Sequence, residues 1–357
     1  MLRESISSLR GNLNENIYFF KKHKRFVNGL LFLTIAILTG YTIFNGYSLA
    51  DLLNNMRNIS LFWLLLCIVA ALLFIIVESF ILWILLKQKD KKLSIFRCLK
   101  YAFIGYFYSG ITPSATGGQP FQLYYMRKDG NSTAISTVAL LSMALFYKLI
   151  MVFMGVALLF FWSNGIIEYL NVYVWVYYLG LTLNILILFV ILAFMIIPEK
   201  TKFIIHKLEQ LLIRFKLLKV NHCRSEKIDL FIAGYKDSVD FLFQNKFKMG
   251  ALTLLTFIQR SSLLFIPVFI YFGLSLKNTS LLTILCIQAV IYVAVDMLPI
   301  PGAQGITELI YISALGSIFT EQYLTTSMII TRSVSFYLIL LIGMMVVLIN
   351  GKFISKK

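Results

Sequence analysis

The sequence has few of the residues and motifs on which soluble catalysis and metal binding depend. Only 14% of its 357 residues are charged, and it has three histidines and four cysteines. The cysteines form no Cys-x-x-Cys pair and most lie in or near apolar segments, which indicates small buried side chains rather than metal ligands. There is no Gly-x-x-x-x-Gly-Lys-[Ser/Thr], His-Glu-x-x-His or Gly-x-Ser-x-Gly motif, and so no P-loop, zinc-protease or serine-hydrolase signature. We therefore expect no metal, no cofactor and no enzymatic activity.

Acidic residues are also scarce, at 16 against 33 lysines and arginines, which gives a formal net charge of +17. The positive charge is concentrated in four stretches: residues 1–25, 87–92, 198–248 and 350–357. The connections 163–172 and 273–280 together contain only one basic residue, Lys277. This asymmetry is the positive-inside pattern, and it predicts a multi-pass protein of the cell membrane with both termini in the cytoplasm. Cationic loops also bind anionic inner-leaflet headgroups, at about 1 kcal/mol per basic residue, so the charge requires no nucleic-acid partner.

Long apolar runs dominate what is present. Hydrophobic residues make up 59% of the chain, against about half in soluble domains, and a membrane-spanning helix needs about 20 consecutive apolar residues. Six segments meet that length: 26–46, 61–86, 133–162, 173–197, 249–272 and 323–349. Three apolar stretches are shorter: 93–110, 279–296 and 306–320. We interpret the first run as an uncleaved helix, because it is long for a signal peptide and no clear cleavage site follows it.

Two regions must enter and leave the membrane on the same side if the charge pattern holds. Residues 93–130 begin and end with basic residues around an apolar, aromatic middle, and residues 279–320 must return to the outer side before the last span. The sequence therefore predicts an all-α polytopic membrane protein with about six full transmembrane helices and two oppositely oriented re-entrant hairpins, similar to an inverted repeat. The predicted divisions are a cytoplasmic N-terminus 1–25, a membrane half 26–197 with hairpin 93–130, a basic amphipathic cytoplasmic linker 198–248, a membrane half 249–349 with hairpin 279–320, and a cytoplasmic tail 350–357.

Each predicted hairpin contains a break of similar composition. The first reads TPSATGGQP from Thr112 to Pro120, and the second reads LPIPGAQGITE from Leu298 to Glu308. Proline removes a backbone donor and glycine permits unusual dihedrals, and irregular backbone at membrane depth persists only when it is buried in protein or lines a wet cavity. The helix that follows each break would direct its positive end at such a cavity, which suits a phosphate or carboxylate. The alternative is that these are simple proline kinks or loops between ordinary spans.

Ionisable residues within apolar segments are a second indication of a site. A charge left facing lipid costs roughly 2.5–3.5 kcal/mol. The candidates are Glu78, Lys148, Arg260, Asp296, Glu308 and Arg332. The alternative for each is a structural ion pair or a snorkelling side chain. For Glu308 we consider three roles: binding an amine-bearing headgroup, carrying a coupling proton, or pairing with Arg332.

The sequence of both breaks resembles that of a known family. SGITPSATGGQ, from Ser109 to Gln119, with the polar turn that starts at Arg127, resembles the first signature of the flippase-like membrane domain of lysylphosphatidylglycerol synthases, the multiple peptide resistance factor family. PIPGAQGITE, from Pro299 to Glu308, is similar to that family's Pro-x-Pro-Gly-Gly-x-Gly-x-x-Glu. The resemblance extends over about residues 26–349 and implies a stand-alone membrane form without the family's soluble aminoacyltransferase half.

The chain departs from the family pattern at three points. Gln119 stands where the family usually has an acid, and Ala303 replaces the second glycine of its Pro-Gly-Gly. Tyr147 and Lys148 stand where the family often has a Glu-Arg pair. These departures put the identity of the substrate in question.

Together, the breaks, the charges and the resemblance imply a translocase that moves a phospholipid or aminoacyl-phospholipid-like amphiphile between leaflets. The alternatives are the membrane component of a phosphatidylglycerol lysyltransferase-type system for cationic-peptide resistance, acting with a separate soluble enzyme, or a non-catalytic scaffold. We expect Gln119 and Glu308 to bind polar headgroup atoms, and Arg127, Lys128 and Arg332 to bind phosphate. The full expected site is Pro113, Gly117, Gly118, Gln119, Arg127, Lys128, Pro299, Pro301, Gly302, Gln304, Gly305, Glu308 and Arg332.

Overall fold

The computed structural model describes residues 54–87, 93–196, 207 and 222–352. In this part of the chain all regular structure is helical and no β-strand occurs. The helices are α1 (Leu61–Leu86), α2 (Ile95–Gly110), α3 (Gly118–Lys128), α4 (Thr133–Phe161), α5 (Ser163–Leu170), α6 (Val174–Ile196), α7 (His222–Gln244), α8 (Lys246–Gly273), α9 (Leu281–Val295), α10 (Ile306–Leu315), α11 (Glu321–Arg332) and α12 (Ile339–Lys352). Short 3₁₀ turns occur at Pro113–Ala115, Asn171–Tyr173 and Pro301–Ala303, and a π-helical segment, Ser333–Leu338, joins α11 to α12. The predicted span 26–46 and part of the predicted linker 198–248 lie outside the described residues.

Among the described residues, five helices are long and apolar enough to cross a membrane. They are Leu61–Leu86, Thr133–Phe161, Ser163–Ile196, Lys246–Gly273 and Glu321–Asn350. These correspond to five of the six predicted spans, and the prediction of an all-helical multi-pass membrane protein is confirmed. The predicted connection 163–172 is mostly helical, because α5 precedes α6. Large apolar side chains on these helices, such as Leu65, Phe153 and Phe189, are more than half exposed, as expected for surfaces that face lipid.

The helices α2 and α9 end at breaks that begin with the same backbone conformation and diverge at the fifth residue, where Thr116 is helical (ψ −21°) and Gln304 is extended (ψ 146°). Thr112 (φ −117°) and Ile300 (φ −118°) are extended, and each precedes a proline, which disfavours helical backbone at the residue before it. In each break the two residues after that proline are left-handed: Ser114 (φ 49°) and Ala115 (φ 54°), Gly302 (φ 59°) and Ala303 (φ 49°). Left-handed backbone strains residues other than glycine, so three of the four positions are held in this conformation by their surroundings.

The second half of the described chain repeats the helix pattern of the first, with a constant separation from the breaks onward, whereas the helices before the breaks start 185 or 186 positions apart. Three pairs of equivalent residues are 188 positions apart: Pro113 and Pro301 in the breaks, Gly118 and Ile306 at the starts of α3 and α10, and Thr133 and Glu321 at the starts of α4 and α11. The helix contacts repeat as well, because α1 packs on α2 as α8 packs on α9, and α3 packs on α4 as α10 packs on α11. The sequence alone left this alignment of the two halves ambiguous.

Each pair of helices around a break packs as a hairpin against a long helix of the other half. The contacts are α2 with α12 and α9 with α4. Glycine permits two of the closest approaches: a Cβ on Gly343 would lie 2.7 Å from the Phe103 carbonyl oxygen, and a Cβ on Gly180 of α6 would lie 2.4 Å from the Val293 carbonyl oxygen. The outer ends of the first hairpin meet at Asp129, which pairs with Lys100 of α2.

The helix α7 lies within the predicted linker 198–248 and packs on α4. Its buried residues are Ile232, Tyr235, Val239 and Leu242. The Tyr235 hydroxyl donates to the Phe194 carbonyl oxygen at 3.1 Å, which also ties α7 to the end of α6. The apolar face of this part of the linker therefore packs on protein, where the sequence predicted contact with the inner leaflet.

Candidate functional site

The two breaks contact each other and form part of the wall of a cavity of about 220 Å³. Ser114 and Ala115 line it from the first break, and Gly302 and Ala303 line it from the second. Most of its polar wall consists of Tyr106, Tyr147, Arg260, Tyr292, Asp296 and Arg332. These residues come from five different helices, so a polar chamber forms between helices that are individually apolar.

The second break is held by an ion pair. Arg332, the last residue of α11, donates from Nε to Glu308 Oε1 at 2.7 Å and from Nη2 to the Gly302 carbonyl oxygen at 2.9 Å. Its guanidinium also lies 4.7 Å from the centroid of the Phe336 ring. Glu308 lies in the first turn of α10, where the helix dipole stabilises a carboxylate. One arginine thus holds both the break and the helix that follows it.

A second ion pair joins the end of α9 to α4. Lys148 is buried and pairs with Asp296, and its ammonium donates to Asn184 Oδ1 of α6 at 2.8 Å. The Asn184 amide in turn donates to the Gly180 carbonyl oxygen at 2.9 Å. Because Asp296 lines the cavity, this pair fixes one side of the cavity wall to two spans.

Arg260 of α8 is the third cation at this depth, and it has a different environment. Its guanidinium carbon lies 3.6 Å from the centroid of the Tyr147 ring and 4.9 Å from that of the Phe74 ring. Its buried Nε has no hydrogen-bond partner. Among the described residues no carboxylate lies within 4.0 Å of it. Glu78 of α1 is the carboxylate with which it interacts electrostatically.

Glu78 is buried and hydrogen-bonded to amides. It accepts from Gln259 Nε2 at 3.1 Å and from Gln122 Nε2 at 3.5 Å, and Gln122 also donates to the Tyr101 carbonyl oxygen at 3.1 Å. The first hairpin is therefore connected to α1 and α8 through the Glu78 carboxyl and two side-chain amides. The arrangement offers an oxyanion two guanidinium groups and several phenols, and among the described residues no group of three or more histidine, cysteine or acidic side chains is placed to hold a metal.

Most of the charged residues predicted within the membrane lie around this cavity. Arg260, Asp296 and Arg332 line it, as does Gly302 from the expected site. Glu308, Lys148 and Glu78 lie behind the wall, next to Arg332, Asp296 and Arg260 respectively.

Other residues of the expected site shape the breaks or lie away from the cavity. Pro113, Gly117, Pro299, Pro301, Gln304 and Gly305 belong to the segments that join the paired helices. A Cβ on Gly118 would lie 2.8 Å from the Gly105 carbonyl oxygen, so this glycine lets α3 pack closely on α2. Gln119 donates to the Leu140 carbonyl oxygen at 3.3 Å. Arg127 and Lys128 are exposed at the outer end of the first hairpin.

The sequence interpretation did not include the phenols and hydroxyls of the cavity wall. Tyr106, Tyr147 and Tyr292 line it with Thr307 and Ser335, and the Tyr106 hydroxyl donates to the Ser335 carbonyl oxygen at 2.7 Å. Tyrosine and serine are common in membrane helices, so their presence alone indicates nothing. Tyr147 could have been noticed because it immediately precedes the buried Lys148.

The fold and the cavity define a class: a helical multi-pass membrane protein with a charged chamber between two interrupted helix pairs. The family described as "Lysylphosphatidylglycerol synthase TM region" matches residues 27–343. The chain belongs to this family, and membership indicates a function connected with membrane lipids. No curated protein matches the chain.

Proposed function

We propose that this protein is a translocase that moves a phospholipid or aminoacyl-phospholipid-like amphiphile between the leaflets of the cell membrane without changing it chemically. The observation that carries the proposal is the cavity at which two non-helical breaks meet, with Arg260 and Arg332 in its wall. Unpaired backbone and charge are each costly at membrane depth, by several kcal/mol per group, and ionisable groups there typically mark substrate pathways.

The cavity suits a headgroup rather than a whole lipid. At about 220 Å³ it is smaller than the roughly 300–1,000 Å³ of sites that enclose drug-sized ligands. Guanidinium groups bind phosphate oxygens through paired N–H donors, and hydroxyls of the wall can donate to the remaining oxygens. The acyl chains would stay in lipid while the headgroup crosses.

The repeat of 188 residues supports two hairpins that enter from opposite sides of the membrane. In the first hairpin, Lys100 of α2 and Asp129 after α3 meet, as a segment that returns to its own side requires. If this hairpin does not cross, the spans α1, α4 and α6 separate the start of α1 from the start of α8. Three crossings place these starts on opposite faces, so the second repeat is inverted. A substrate site between inverted repeats is the arrangement used for alternating access.

Lipid movement can be tested in liposomes that contain the purified protein and phosphatidylglycerol with a fluorescent headgroup label. Dithionite added outside destroys the fluorescence of the outer leaflet only, so a translocase should give loss well beyond the outer-leaflet share, with no soluble partner present. The variant Arg57→Gln, at an exposed arginine away from the cavity, should behave like the wild type. Fluorescence loss equal to that of protein-free liposomes would contradict the proposal.

The orientation of the hairpins can be tested with single cysteines in a cysteine-free background. A cysteine in place of the exposed Arg127 should react only with reagent supplied from the cytoplasmic side, and one in place of the exposed Lys277 only from outside. Labelling of both positions from one face would contradict the inverted arrangement.

The family description favours a second candidate, in which the chain is the membrane component of a lysyl-lipid-forming system. We propose that the chain alone is not the enzyme. Purified protein incubated with lysyl-tRNA and phosphatidylglycerol should then form no aminoacyl lipid, whereas product formation would assign the transferase reaction to this chain.

A further inference from the structure

We propose that Arg260 binds the phosphate of an anionic headgroup and that Glu78, its present counter-ion, takes up a proton when that phosphate binds. The inference rests on the proposed translocase function and specifies the chemistry of its site: a phosphodiester that moves together with a proton. It stands on the geometry around Arg260 and on the charge balance of the buried residues.

Arg260 is held in a way that leaves its donors for a ligand. The rings of Tyr147 and Phe74 lie 3.6 Å and 4.9 Å from its guanidinium carbon, and contact with an aromatic face leaves the in-plane N–H groups unused. Its buried Nε lacks a hydrogen-bond partner, and the residue lines the cavity. A phosphate is the ligand whose paired oxygens match such a planar fork.

The other two cations near the cavity are already bound. Arg332 donates to Glu308 and to the Gly302 carbonyl oxygen, and Lys148 pairs with Asp296 and donates to Asn184. Among the described residues near the cavity, Arg260 is therefore the cation without a hydrogen-bonded carboxylate. An incoming anion can bind it without first breaking an ion pair.

The partners of Glu78 suit either protonation state. Its hydrogen bonds come from the amides of Gln122 and Gln259, and an amide can donate to a carboxylate or accept from a carboxylic acid after its group reorients. The ionisable groups near the cavity on the neighbouring helices include Tyr106 of α2, Tyr147 and Lys148 of α4, Arg260 of α8, and Arg332 of α11. Of these cations, Lys148 and Arg332 are paired elsewhere, which leaves Arg260 to balance Glu78.

The buried charges sum to zero before a ligand binds. Arg260 balances Glu78, Lys148 balances Asp296, and Arg332 balances Glu308. A phosphodiester adds one negative charge to this low-dielectric region, where a net charge is unfavourable. Protonation of Glu78, the carboxylate whose charge balances that of Arg260, restores neutrality. By linkage, phosphate binding and proton binding at Glu78 then favour each other.

The test measures proton uptake directly. Titration calorimetry of the full-length protein with dihexanoyl phosphatidylglycerol near pH 8, in buffers of different ionisation enthalpy, gives both the affinity and the number of protons bound. We expect uptake approaching one proton per lipid in the wild type, and binding with little uptake in Glu78→Gln, which is already neutral there. Arg260→Gln should weaken binding about 10- to 100-fold, as expected for loss of a charged hydrogen-bond donor.

Two further variants keep the test valid if Arg260→Gln fails to fold. Arg260→Lys preserves the charge and should bind more weakly than the wild type while still taking up a proton. The double variant Glu78→Gln/Arg260→Gln preserves neutrality and should show neither strong binding nor uptake. The exposed Arg57→Gln should match the wild type in both quantities.

Some outcomes would overturn the inference while the translocase proposal stands. These are binding without proton uptake in the wild type, uptake that is unchanged in Glu78→Gln, and wild-type affinity in Arg260→Gln, each in a protein that still moves lipid in liposomes. A lack of measurable binding by the wild type would also overturn it. Glycerophosphoglycerol, which has no acyl chains, is the second probe. Affinity equal to that of the lipid, in a protein that moves no labelled lipid in liposomes, would retain the phosphate site but assign it to a water-soluble phosphodiester.

Discussion

The two breaks begin with the same backbone conformation and differ in their chemistry. Pro113 and Pro301 begin turns with the same extended and left-handed sequence of dihedrals, 188 positions apart. The first hairpin is connected to its surroundings by amides, through Gln122 to Glu78 and Gln119 to Leu140. The second is connected by buried ion pairs, through Glu308 and Asp296.

The alignment of the two halves shows that charged residues of the second half have uncharged equivalents in the first. At the same separation, which holds from the breaks onward, Glu308 corresponds to Pro120 and Arg332 to Ala144. Two similar breaks therefore form part of the cavity wall, and Arg260, Asp296 and Arg332, all from the second half, supply its charge. The comparison predicts that the second hairpin is sensitive to charge and the first to hydrogen bonding and shape.

The largest expected effect comes from breaking the Glu308–Arg332 pair. Arg332→Gln leaves the Glu308 carboxylate buried without its cation, and loss of one partner of a buried pair costs about 3–5 kcal/mol. We expect a large drop in the thermal unfolding temperature in detergent and loss of lipid movement in liposomes. Glu308→Gln should fold better, because the amide keeps the size of the side chain, yet it should also lose most of the movement.

The double variant Glu308→Gln/Arg332→Gln should be no worse than either single variant, since the two residues act as a pair. The matched control in the first hairpin is Lys100→Gln. Lys100 and Asp129 are partly exposed, so this change should cost at most about 1 kcal/mol. Wild-type lipid movement in a folded Glu308→Gln protein would make this glutamate a structural residue.

The next largest effect is expected at Gly302. A Cβ there would lie 2.4 Å from the Phe336 ring, and the positive φ strains any other residue, so Gly302→Ser should cost about 2–4 kcal/mol. Because Phe336 contacts the Arg332 guanidinium, lipid movement should fall as well. The unfolding temperature and the liposome assay check this prediction, and a neutral effect would show that the second break is as tolerant as the first, where a serine occupies the equivalent position.

A smaller effect is expected for Gln122→Leu in the first hairpin. The substitution removes donors to the Tyr101 carbonyl oxygen and to Glu78, and an unsatisfied buried partner costs about 1–3 kcal/mol. Thermal unfolding should show this loss. A loss of stability as large as that of Arg332→Gln would contradict the proposed difference between the two hairpins, in which the second depends on charge and the first on neutral hydrogen bonds.

The smallest effect is expected for Ser114→Gly, the reverse of the change at Gly302. Glycine relieves about 1–2 kcal/mol of left-handed strain but loses about 0.5–1 kcal/mol through the entropy of the unfolded chain. The unfolding temperature should therefore stay equal or rise slightly. A clear fall would indicate that the Ser114 side chain stabilises the break by contacts of its own.

The sequence predicted the spans well because apolar length alone determines them. The predicted segment 61–86 has the bounds of α1, and both breaks fall where proline and glycine placed them. The pairing of charges was harder to predict, since Lys148 meets Asp296 across 148 positions of the chain and only the packing of α4 on α9 brings them together. The repeat register was also ambiguous, because it depends on left-handed residues such as Ser114 and Ala303 that no propensity favours.

Gly180 brings the backbone of α6 into direct contact with the second hairpin. Backbone carbonyls of α9 lie against this glycine, and Asn184, one turn further along α6, accepts from the same Lys148 that holds Asp296. Two backbones in direct contact have no side-chain rotamers with which to absorb a displacement, so α6 and α9 must shift together. The outward face of α6 carries Leu186 and Phe189, both more than half exposed. A change in bilayer thickness that displaces α6 would therefore also displace α9, and we expect lipid composition to influence the proposed lipid movement.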